Sequence, residues 1–148
     1  MLIILGKIAK FKVKTEMKII LPAMVACSFF FMCTAQAAED CSKKTSDPEV
    51  FTCAEHNRTV AEKALNTEYS AAKKRIDETF PGQESERKDY LGVFLDSQRA
   101  WLKYRDGQCK LFAHVANKNS NPYMVFTNNC IAKLDEERTN ELKEIPYD

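Results

Sequence analysis

The chain has 148 residues, of which 22 are basic and 21 acidic, so it is nearly neutral and long enough for one domain. That balance excludes the strongly basic footprint of a nucleic-acid binder. Six Cys in so short a chain make the redox compartment the first question.

Residues 1–37 read as an N-terminal extension followed by a secretory signal. Met17-Lys18 begins a charged region, Ile19 to Cys33 is an almost unbroken apolar run, and Ala35 and Ala37 are the small residues that a signal peptidase reads. Cleavage is expected after Ala37. The run is short for a membrane span. Ala26-Cys27 offers a lipidation site inside it, but the Ala35/Ala37 pair is the better cut, so membrane attachment is expected only if Cys27 is lipidated. Loss of five Lys and one Glu leaves 17 basic and 20 acidic residues, a mildly acidic surface that would suit a cationic partner. Residues 38–148 are then the mature domain, periplasmic or secreted. Its four Cys, Cys41, Cys53, Cys109 and Cys130, imply two disulfides.

After a polar arm to Ser46, Asp47-Pro48 reads as a helix start, with Asp47 as the cap and Pro48 at a position where its missing N–H does no harm. Cys53, Val60, Ala61, Ala64, Leu65, Tyr69, Ala72 and Ile76 recur at three- and four-residue steps and mark the buried stripe of a long helix. Phe80-Pro81-Gly82 ends it. A second helix is expected from about Ser85 to Ala116, with Leu91, Phe94, Leu95, Gln98, Trp101, Leu102, Arg105, Cys109 and Phe112 inward. Asn117 to Phe126 reads as a loop, and Thr127 or Asn128 as the cap of a third helix with Ile131, Leu134, Arg138, Leu142 and Ile145 inward. No strand-like alternation appears. The fold class is all-α: a three-helix bundle built on a long antiparallel helical hairpin and stapled by two disulfides at one end.

A turn near residue 82 brings facing residues of the hairpin to numbers that sum to about 164. Asn66 comes level with Gln98, Tyr69 with Leu95, and Arg105 with Thr59, within reach of Glu55 or Glu62. Buried Gln98 and Arg105 require partners. The expected ones are Asn66 for Gln98 and a carboxylate of the first or third helix for Arg105, while the Trp101 indole N–H should find an oxygen. All four Cys gather at the open end of the hairpin. Cys41–Cys53 with Cys109–Cys130 is the favoured pairing, closing loops of 11 and 20 intervening residues, and Cys53–Cys109 with Cys41–Cys130 is its rival.

At these positions the chain resembles the LprI-type lysozyme inhibitor family of bacterial envelope proteins. The resemblance rests on Cys41 and Cys53, Leu65-Asn66 followed by Tyr69, Gln98-Arg99-Ala100-Trp101, and Tyr104-Arg105-Asp106 leading to Cys109. Cys130, Arg138 and Leu142 complete it. The most specific part is Gln-x-x-Trp-x-x-x-Arg-x-x-x-Cys. The stretch before Cys130 departs from relatives, which often carry a Gly-rich segment there. The resemblance implies an exported or lipid-anchored helical domain and, for the founding type, inhibition of lysozyme.

No catalytic constellation stands out. His56 and His114 lack a nucleophile partner, and Asp135-Glu136-Glu137 reads as helix surface. No phosphate loop, CxxC or HxxxH pair is present, so neither an enzyme nor a metal or other cofactor is expected. The expected function is a binding protein whose partner is a protein, in the first instance a lysozyme. Lys118 would approach a carboxylate of its cleft and Tyr123 would replace a sugar ring. The alternative is an envelope scaffold or stress protein with a helical interaction surface, which exposed apolar residues such as Val93 and Leu111 would favour.

Overall fold

The computed structural model describes residues 38–147. The expected extension, signal and Cys27 lie outside the described residues. Three helices follow one another: α1 (Asp47–Thr79), α2 (Glu84–Phe112) and α3 (Asn121–Lys143). Short 3-10 turns at Cys41–Lys43 and Ala113–Val115 complete the described structure, which contains no strand among its residues.

The cap of α1 is Ser46, not Asp47. The Glu49 carboxylate reaches back to accept from the Ser46 N–H at 3.3 Å and from its hydroxyl at 2.6 Å. Asp47 stands in the first turn, where a negative charge meets the positive end of the helix. The helix stops at Phe80, and Gly82 takes the left-handed conformation, φ 75°, that reverses the chain. α2 begins one residue before Ser85, which is therefore helical and not a cap. It also ends sooner than the apolar pattern suggests, passing into a 3-10 turn at Ala113.

The largest departure is α3. It starts at Asn121, where Ser120 accepts the Tyr123 N–H through its hydroxyl at 3.3 Å and Pro122 occupies the first turn. The expected loop to Phe126 is really a five-residue link, 116–120, followed by helix. Tyr123 is thus a first-turn helical residue.

α3 packs most extensively on α1. Small side chains permit this: Ala54, Ala61 and Ala72 of α1 and Ala132 of α3 are buried at the contact. The wider gap toward α2 is filled by larger groups. Leu65, Ala72, Ile76, Phe94, Leu142 and Ile145 form the apolar core, flanked by Tyr69, Tyr90 and Trp101. Burial of each large member contributes about 1.5–3 kcal/mol. The register of the hairpin agrees with its turn: Tyr69 stacks on Phe94 with ring centroids 4.9 Å apart. At the far end Arg75 ties α1 to the C-terminus of α3. Its Nε donates to the Ile145 carbonyl at 2.8 Å and its Nη2 to that of Leu142 at 2.6 Å, a positive group at the negative end of the helix.

The N-terminal arm is held by polar contacts. Asn57 accepts the Glu39 N–H at 2.7 Å and donates to its carbonyl at 2.8 Å. Hydrogen bonds from Lys44 to Glu39, from Ser42 to Asp40 and from Ser46 to Glu49 hold all three carboxyls below their ordinary values. A depressed folded-state value means stability present above the ordinary carboxylate range and lost as pH falls through the folded one. Residues 38–50 are therefore expected to lose amide exchange protection below about pH 4, ahead of the α2–α3 core. Hydrogen exchange as a function of pH reads this directly. Uniform loss across all three helices would contradict it.

Candidate functional site

Two features stand out: a buried polar seam and an exposed apolar end. The seam lies where α2 meets α3. Arg105 Nη1 donates to both Asp135 oxygens, at 2.9 and 3.2 Å, and its Nε and Nη2 donate to Asp106 at 2.9 and 2.7 Å. Glu62 of α1 stands 3.8 Å from the same guanidinium. One helical turn on, Arg138 Nε donates to Gln98 Oε1 at 3.1 Å and its Nη1 to Glu141 at 2.8 Å. The Trp101 ring has the Arg105 guanidinium 5.8 Å and the Arg138 guanidinium 5.7 Å from its centroid, within cation–π range of both.

This geometry corrects several expectations. Gln98 meets Arg138 of α3, whereas Asn66 faces solvent on α1. The reason is architectural: α3 supplies the polar groups opposite α2, so the interhelical layer is not within the hairpin. The Trp101 indole N–H has no hydrogen bond among the described residues; what the ring gains instead is the two guanidinium groups over its π face. Asp135 is not surface but fully buried, and burial pushes its carboxyl up further than Arg105 draws it down. Its place was legible, since Ile131, Asp135, Arg138 and Leu142 share one helical face. Asn128, also buried, accepts from Arg58 Nη1 at 3.2 Å and was not foreseen. Leu65 is in the core as its period requires. Arg105 and Asp135 are paired with each other at the centre of the seam, which suits a part that fixes the helix register.

The sulfurs form Cys41–Cys53 and Cys109–Cys130, with Cα separations of 5.8 and 5.4 Å. The second bridge joins the last turn of α2 to α3. Around it lie Tyr104, Leu111, Phe112, Val115, Met124 and Phe126, six of the nine large apolar side chains exposed in the described residues. Val115, at 82% exposure, stands at the tip, and Phe112 meets Phe126 edge-on at 6.2 Å. Beside them a concavity of about 870 Å³ is bordered by Lys110, His114, Lys118 and Tyr123. Lys118 is exposed and Tyr123 half-buried, so the two do share one rim. His56 and His114 both face solvent, and no cluster of metal-ligating side chains occurs among the described residues.

The fold and these features define a small disulfide-stapled, all-α domain with apolar side chains gathered at its pinned end. Its residues 38–142 match the family described as lysozyme inhibitor LprI. An uncharacterized protein of Rhizobium meliloti is 34% identical over 131 residues, covering 83% of this chain and 94% of that protein. The crystal structure of a DUF1311 family protein from Pseudomonas putida superposes with a TM-score of 0.62 at 30% identity, covering 68% of this chain and 93% of that one. The chain belongs to the LprI lysozyme inhibitor family. Its paired cysteines fit a location outside the cytoplasm. No helix among the described residues is long and apolar enough to cross a membrane.

Proposed function

We propose that the protein is exported, loses residues 1–37, and acts in the periplasm or outside the cell as a non-enzymatic inhibitor that blocks the cleft of a lysozyme. The observation that carries this reading is the concentration of exposed apolar side chains at the end pinned by Cys109–Cys130. A lysozyme cleft combines carboxylates with surfaces that pack against sugar rings. Leu111, Phe112 and Val115 would supply apolar contact, and Lys110 and Lys118 would approach the carboxylates. The bridge holds both flanks of the link, which lowers the entropy lost on binding.

The test is inhibition of lysozyme by the purified protein. Leu111→Asp combined with Val115→Asp is expected to weaken inhibition at least about tenfold, the scale of a lost central contact, without unfolding the bundle. A Lys118→Ala/Tyr123→Ala variant measures the polar rim. Inhibition unchanged in both variants removes this end from the mechanism. A second reading, an envelope scaffold, draws support from Val93 and Leu111, 66% and 68% exposed on α2, of which Val93 lies far from the pinned end. Capture of a different envelope protein by a Leu111→Asp/Val115→Asp variant that no longer binds lysozyme would favour it.

A further inference from the structure

The opposite end of the bundle carries a groove that plays no part in the proposed inhibition. A concavity of about 460 Å³ runs along α2 beneath the C-terminal segment, walled by Phe80, Tyr90, Val93, Phe94, Ile145 and Tyr147. Mostly apolar walls and a volume of this size suit a small ligand.

Its polar groups are few and placed apart. Arg138 lines one part, with a side chain only 10% exposed. Gln98 and Glu141 occupy its Nε and Nη1, and Nη2 has no hydrogen-bond partner among the described residues. Gln98 is neutral and the Glu141 side chain is 55% exposed, so the buried charge is incompletely balanced. Ser97 lies at the same level of α2. Glu86 and Asp89 line the groove toward the start of α2, exposed and without an ion pair among the described residues. From Asp89 to Ser97 the helix rises about 12 Å. The groove is therefore positive at a buried end, negative at an open end, and apolar between.

A free amino acid is too short to reach both ends. Three extended residues span about 10 Å. We propose that this groove binds a short apolar peptide of about three residues in extended form, its C-terminal carboxylate on Arg138 and its ammonium at Asp89 and Glu86. Fixed charges at both ends set the direction of the chain, and the walls select apolar side chains.

Calorimetry on protein purified after expression of the full chain tests this, with the tripeptide Leu-Ala-Leu as probe. Its C-terminal amide lacks the carboxylate and is expected to bind at least about tenfold more weakly, the scale of a lost charge-assisted hydrogen bond. The N-acetyl form meets only exposed carboxylates and should lose about fivefold. In a Glu86→Gln/Asp89→Asn variant the free and acetylated peptides should bind alike. Val93→Trp fills the mouth from an exposed position and should abolish binding while leaving the circular dichroism and any lysozyme inhibition intact. No saturable binding at millimolar peptide, an amide that binds as tightly as the acid, or binding unaffected by Val93→Trp overturns the proposal. None of these outcomes depends on whether the pinned end inhibits lysozyme.

Discussion

Asp135→Ala is expected to lower the unfolding free energy by about 3 kcal/mol, the cost of leaving a buried charge without its main partner. For a domain of this size that is a fall in Tm of roughly 12 °C. The Arg105 side chain is 10% exposed and Asp135 is fully buried, so water cannot replace the lost carboxylate. Asp106 and Glu62 remain near the guanidinium and keep the effect at the lower end of the range. The sign of the pH dependence follows from burial. A carboxyl pushed up in the folded state gives a contribution that is complete below the ordinary Asp range and is lost as pH rises through the folded value. Removing both charges also removes the cost of desolvating them, whereas removing one leaves the other buried without its partner. Arg105→Met with Asp135→Leu should accordingly be as stable as the parent, and thermal unfolding of the two single variants and the double variant separates the terms. A loss below about 0.5 kcal/mol for Asp135→Ala would show that the pair is not the lock of the seam.

That lock was only half legible in the sequence. The apolar period fixes which faces of α1 and α2 turn inward, and a short turn with Gly82 fixes their register to within a residue: Tyr69 meets Phe94, next to the Leu95 that the arithmetic names and that is itself exposed. The same arithmetic places Arg105 near Glu62. It fails for Gln98 because a hairpin calculation contains no third helix, and α3 brings its own Arg138. Asp135 was hidden by composition: beside Glu136 and Glu137 it looks like part of a solvated acidic run, and only its helical phase with Ile131 and Leu142 reveals it. The start of α3 was missed although α1 opens on the same pattern. Ser120-Asn121-Pro122 repeats the chemistry of Ser46-Asp47-Pro48, a hydroxyl cap followed by Pro in the first turn. The many Asn around it imitate a loop. Exposure at the pinned end was legible only in part: Leu111 stands off the inward stripe and is exposed as expected, but Phe112 continues that stripe and yet faces solvent.

Replacing both Cys109 and Cys130 by Ser is expected to cost about 3 kcal/mol, because the bridge closes a loop of 20 intervening residues in the unfolded chain. Replacing Cys41 and Cys53 should cost nearly as much by the same reckoning, since loop entropy grows only slowly with length. The two pairs differ in what they hold. Cys41–Cys53 fastens an arm that Asn57 also grips through the Glu39 backbone. Cys109–Cys130 fastens the two segments that carry Leu111, Phe112, Val115 and Phe126, where Phe112 also meets Phe126 edge-on. At a temperature where both double variants remain folded, the Cys109/Cys130 variant should therefore lose the proposed lysozyme inhibition at least about tenfold through the disorder it admits, and the Cys41/Cys53 variant should keep it. Denaturant unfolding and an inhibition titration on the same samples check the two halves together. Equal losses of inhibition would mean that global stability sets activity, and an unaffected Cys109/Cys130 variant would mean that the apolar end needs no covalent support to present its side chains.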